Sequence, residues 1–144
     1  METKYSNIIV AVDGSKDSDK AFKKSLDIVK RNDARLILTH VVNARTFATI
    51  PEYEKVILND AKEQGQEILD DYENKARDAG VTDIKVVMKV GVPKSVLTKE
   101  VIPEEKADLI MVGATGLNAV ERFLLGSVSE NIVRHATCDV LVVR

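Results

Sequence analysis

The chain has 144 residues, 44% hydrophobic and 31% charged, with a net charge of −2, which is the usual size and make-up of one globular domain. Basic and acidic residues are mixed along its length, arguing against a nucleic-acid partner, and no apolar run approaches the about 18 residues a membrane span needs. Cys138 is the one cysteine and no basic-then-apolar leader opens the chain, so a single cytoplasmic domain in a reducing compartment is expected, with no internal disulfide.

The first apolar run, Ile8–Val12, is rich in Val and Ile without polar alternation, as suits a strand covered on both faces. From Ser18 to Arg31, Phe22, Leu26 and Val29 fall on one helical face. Leu36–Val42 is a second strand, and Asn43–Glu52, which contains Pro51, reads as a surface loop. Between Tyr53 and Ala79, Ile57, Ala61, Ile68, Tyr72 and Ala76 keep helical spacing, and Gly80 supplies a stop. Ile84–Val90 is a third strand, and Pro93 can open a third helix carrying Val96, Leu97 and Val101. Leu109–Val112 is the fourth strand. A fourth helix begins at Ser127 with Val128, Ile132, Val133 and Ala136 on its buried face, and Val140–Val143 is the last strand. Strands separated by helices require right-handed crossovers, so the fold class is α/β: an open, mostly parallel sheet with helices on both faces.

In such sheets ligands bind beyond the carboxyl ends of the strands, where the strand order reverses. Asp13, Gly14 and Ser15 follow the first strand, and Gly113 to Gly116 follow the fourth. A reversal between those two strands would make the two groups neighbours. The second group reads Gly113-Ala-Thr-Gly116, then nine residues, then Gly126-Ser127-Val128. Glycine lets an anion approach the backbone without a Cβ in the way, and a helix starting at Ser127 offers free N–H groups and a positive dipole end. The other reading is an ordinary helix start, because Ser127 and Glu130 form an S-x-x-E capping box, with Gly113 and Gly116 as turn residues. Asp13 likewise is either a ligand-facing carboxylate or the start of an Asp-Gly turn that caps the next helix.

The Gly113-x2-Gly116-x9-Gly126-Ser127 pattern resembles, in every glycine and spacing, the phosphate loop of the ATP-binding branch of the universal stress protein family. The opening Ile8-Ile9-Val10-Ala11-Val12-Asp13-Gly14-Ser15, the stretch Ala107–Gly113 and the ending Cys138–Val143 are also similar to that family. The resemblance implies a Rossmann-like, adenine nucleotide alpha hydrolase-like sheet of five parallel strands in the order 3-2-1-4-5. It implies ATP as ligand, with Mg²⁺ bound through the phosphates. Backbone at Gly113, Gly116, Gly126, Ser127 and Val128, with the Ser127 hydroxyl, would hold the phosphates. Asp13 would meet the ribose hydroxyls or sit near the Mg²⁺. Val41 backbone would receive the adenine edge, and Ala11 and Val12 would line the pocket. A homodimer through the C-terminal strand Val140–Val143 is implied as well, and pairing an apolar edge strand with its own copy is a sound way to cover it.

Several features suggest no chemistry. His40 ends a strand and His135 lies near a helix C-terminus, where a cation is favourable. No Cys/His cluster has metal-ligand spacing, and Cys138 reads as packing. Ser15 lacks a G-x-S-x-G context, and neither the Walker sequence nor a dinucleotide fingerprint after the first strand occurs. Within the glycine loop Arg122 is the one cation, and no carboxylate or glutamine has a claim to orient water. Holding ATP as a nucleotide-responsive regulatory module, without efficient turnover, is therefore the first expectation. A slow ATPase or autophosphorylating phosphotransferase is the second, and a nucleotide-independent interaction protein the third.

Overall fold

The five apolar runs become five strands: β1 (Asn7–Ala11), β2 (Arg35–Asn43), β3 (Ile84–Gly91), β4 (Leu109–Gly113) and β5 (Asp139–Val143). In the computed structural model, which describes residues 4–43, 51–115 and 126–144 (backbone alone for 51–54), they form one sheet in the order β3-β2-β1-β4-β5. Every neighbouring pair is parallel. The expected strand order is therefore the observed one, and it reverses between β1 and β4.

Successive residues of a strand face opposite ways, so the sheet feeds two cores. Ile8, Val10, Leu36, Leu38 and Met111 pack against Phe22 and Val29 of α1 (Lys16–Asn32) and Leu69, Tyr72 and Ala76 of α2 (Pro51–Asp78). Ile9, Ile37, Ile110 and Val112 pack on the other face, against the segment Pro93–Glu105 and against Ile132 of α5 (Ser127–His135). That segment comprises α3 (Pro93–Val96), a π-helical turn over Leu97–Val101 and α4 (Ile102–Glu105). The π turn has a local cause. Pro103 cannot donate to the carbonyl four residues back and its ring crowds it, and the chain widens so that the Ile102 N–H donates to Leu97 O instead.

Three expectations need correction. Pro51 and Glu52 belong to α2 rather than to a loop, since proline is well tolerated in a first helical turn; residues 44–50 lie outside the described part. Ile57 is 42% exposed. At 28 residues α2 is about 42 Å long, whereas the nine residues of β2 span about 30 Å, so one end of the helix overhangs. Val133 is 50% exposed. The buried stripe of α5 is confined to Val128, Ser129, Ile132 and Ala136, and Val133 stands beside it. Among the described residues no helix is long and apolar enough to cross a membrane.

Candidate functional site

The reversal point is built by the turn after β1. Gly14 takes a φ of +82, which side chains resist, and the Ser15 N–H donates to Asp13 Oδ1 at 2.9 Å. Ser15, not Asp13, caps α1, accepting from the Ser18 N–H at 3.2 Å. The capping role weighed for Asp13 is thus filled by its neighbour. The Asp-Gly turn is real but uses one carboxylate oxygen; Asp13 Oδ2 has no partner among the described residues. The Asp13 N–H itself donates to Ser18 Oγ at 3.3 Å.

The end of β4 lies directly against this turn. A Cβ on Gly113 would stand 2.6 Å from the Asp17 carbonyl carbon and 2.8 Å from Ser18 N. Gly113 is therefore required for α1 to seat on β4, a reason independent of any ligand. Beyond it, Ala114 N–H donates to Val143 O at 2.8 Å, and Ala114 O accepts from Gly126 N–H at 2.7 Å and from Ser129 Oγ at 2.8 Å. The two ends of the glycine segment are thus joined at Ala114. Thr115 is held from the other side: its hydroxyl and its N–H donate to Asp17 Oδ2 at 2.6 and 3.2 Å. Gly116 and Arg122 lie outside the described residues.

Gly126 occupies the N-cap of α5, with φ −65 and ψ 161 and no side-chain cap. Ser127 is the first helical residue and is exposed, so the capping box does not form. Glu130 turns instead to Arg134, 3.0 Å away. The first N–H groups of α5 carry no helical partner, and no carboxylate of the helix covers them. The φ of Gly126 suits any residue, and among the described residues a Cβ there would meet nothing closer than 3.4 Å.

The third wall comes from β2. Val12 N–H donates to Thr39 O at 2.9 Å, so Thr39 directs its backbone toward β1. Two residues further, Val41 directs its backbone groups the same way, but β1 has ended at Ala11. Ala11 and Val41 pack beside the core that includes α5, whereas Val12 is buried in the core beneath α1 and α2. Val12 can therefore border the crevice with backbone alone, and its carbonyl already accepts from His40 Nδ1 at 2.8 Å. The structure thus gathers Ala11, Asp13, Val41, Gly113, Gly126, Ser127 and Val128 around the carboxyl ends of β1, β2 and β4.

Asp17, Thr115, Ser129 and Thr39 were not singled out from sequence. Asp17 and Ser129 each lie in the first turn of a helix next to a site segment, and that is the signal that could have found them. Thr39 has none. His40 Nδ1 is engaged by the Val12 carbonyl, and burial pushes the half-buried Cys138 thiol up from its ordinary range, which disfavours the reactive thiolate. Among the described residues no three His, Cys, Asp or Glu side chains converge as a metal site.

The profile of the universal stress protein family matches residues 4–144. A protein of Staphylococcus aureus (strain USA300) named as a universal stress protein is 47% identical over 140 residues, covering 97% of this chain and 84% of that one. The solved universal stress protein UspA of Lactobacillus plantarum superposes with a TM-score of 0.87 at 28% identity, covering 99% of this chain and 100% of its own. A universal stress protein solved in complex with cAMP matches with a TM-score of 0.67 at 32% identity, over 99% and 98% of the two chains.

Proposed function

The chain belongs to the universal stress protein family, and from that premise we propose that it binds ATP at the crevice between β1 and β4 and serves as a nucleotide-dependent regulatory switch in the stress response. The observation that carries the reading is Gly126. Among the described residues it meets neither a demand for a positive φ nor a tight neighbour, and at a helix N-terminus without a side-chain cap its missing Cβ serves an approaching anion. Gly113 carries less weight, because α1 already requires it. The related protein crystallised with cAMP supports an adenine nucleotide as the ligand class.

In this reading the phosphates lie on the N–H groups of Ser127 and Val128 with the exposed Ser127 hydroxyl, beside the backbone of Gly126, whose own N–H is given to Ala114 O, and Gly116 completes the loop with Gly113. The backbone of Val41, turned toward the place where β1 has stopped, receives the adenine edge, and Ala11 with the Val12 backbone borders it. The free Oδ2 of Asp13 accepts from ribose hydroxyls or from water on a Mg²⁺ ion. With no convergent protein ligands among the described residues, such an ion is held through the phosphates, a common arrangement for Mg²⁺. Among the described residues no side chain is placed to orient an attacking water, and the reading is of a holder rather than a hydrolase. Equilibrium dialysis against ATP, ADP and AMP, with mass spectrometry of any nucleotide that copurifies, tests it. Absence of binding at millimolar ATP removes it.

The same premise supports a cytoplasmic homodimer paired through β5. Val140, Leu141 and Val142 are only half-buried on this outer strand, leaving an apolar edge that a second copy would cover. Sedimentation at micromolar concentration should give a dimer; a monomer would contradict it.

A further inference from the structure

We propose that Asp17 is a positioning residue for nucleotide binding, acting through Thr115 without touching the ligand; the proposal rests on the ATP reading above. Asp17 Oδ2 accepts both the hydroxyl and the N–H of Thr115, at 2.6 and 3.2 Å, across 98 positions of sequence. Its place is fixed twice over. The Ser15 cap sets the first turn of α1, and the absence of a Cβ at Gly113 lets that turn lie on the end of β4.

Ala114 is already held by Val143, Gly126 and Ser129. Thr115 is held instead by Asp17. A carboxylate beside an anion site is repulsive unless its charge is taken up elsewhere. Here two donors occupy Oδ2, while Lys20 stands 4.0 Å from Oδ1. The carboxylate thus fixes Gly113-Ala114-Thr115 before ligand arrives, so that less ordering is left to do on binding. It should matter for the phosphates and not for the base.

The test measures affinity for ATP and for adenosine in the full chain. Asp17→Ala should weaken ATP about tenfold, in line with the loss of a charged hydrogen-bond pair, and change adenosine less than about twofold. Asp17→Asn keeps an acceptor oxygen and should recover most of the loss. Thr115→Ser should behave as wild type and Thr115→Val, which keeps the N–H bond to Asp17, should show a smaller loss of the same kind, the double variant being no worse than Asp17→Ala alone. If Asp17→Ala does not fold by circular dichroism, Thr115→Val, which removes only the hydroxyl, decides. ATP binding unchanged, equal losses for ATP and adenosine, no recovery with Asn, or additive losses would each overturn the proposal. Failure of the wild type to bind ATP would instead overturn the nucleotide reading beneath it.

Discussion

At the scale of single residues, the molecule separates groups that serve the fold from groups that do not. Gly113 and Gly126 look alike in sequence. A Cβ on the first would stand 2.6 Å from the Asp17 backbone in α1, whereas one on the second would meet nothing closer than 3.4 Å among the described residues. That difference depends on how closely a helix approaches a strand end about a hundred residues away, and no local pattern encodes it. Ser127 and Glu130 erred in the opposite direction: the spacing of a capping box is present, but Arg134 lies one turn beyond Glu130 and takes its carboxylate. Thr39 is a second residue the fold does not need. It is fully buried, and its hydroxyl has no partner among the described residues, which costs about 1–3 kcal/mol. Thr39→Val removes that orphan at similar volume and should raise stability by about 1 kcal/mol in denaturant unfolding. An unchanged or lower midpoint would mean that the hydroxyl is satisfied in solution.

At the scale of elements, apolar runs and helical spacing made the strands and helices legible to within a residue or two, because strands covered on both faces cannot afford polar alternation. The ends were less legible, since they are set by backbone turns that several residue types can make. Gly80 stops α2 with a φ of +94, as read from sequence. The same left-handed turn after α4 is made by Lys106 at a φ of 51, with its N–H donating to the Ile102 and Pro103 carbonyls. A lysine there is strained and a glycine is not. Lys106→Gly should therefore stabilise the protein by about 0.5–1 kcal/mol, seen as a higher thermal midpoint. A lower midpoint would mean that the lysine side chain contributes more than the backbone loses.

At the scale of the whole molecule, the sheet order β3-β2-β1-β4-β5 was legible through a family resemblance and not through periodicity, which is silent on which strands are neighbours. The order matters because it places the ends of β1, β2 and β4 around one crevice, with α1 and α5 pointing their first turns at it. The opposite core, under α1 and α2, gives an independent check on packing. Tyr72 is buried against Phe22, with ring centroids 4.7 Å apart, and burial raises its hydroxyl pKa above the ordinary value of about 10. The folded protein then holds this proton more tightly than the unfolded chain. Its contribution is complete below pH about 10 and is lost as pH climbs toward the folded-state value. Stability should fall more steeply above pH 10 in the wild type than in Tyr72→Phe; equal slopes would show that Tyr72 ionises freely.

The central claim, that an uncapped helix beside a glycine holds the phosphates of ATP, is tested most directly at Gly126. Serine is a preferred N-cap residue, so Gly126→Ser should fold with a thermal midpoint equal to or above that of the wild type. Its side chain would occupy the free N–H groups of α5 and stand in the path of the phosphates. A thermal-shift titration with ATP should raise the wild-type midpoint and leave that of Gly126→Ser unmoved. A wild type indifferent to millimolar ATP, or a Gly126→Ser protein stabilised by ATP as strongly as the wild type, would contradict the account.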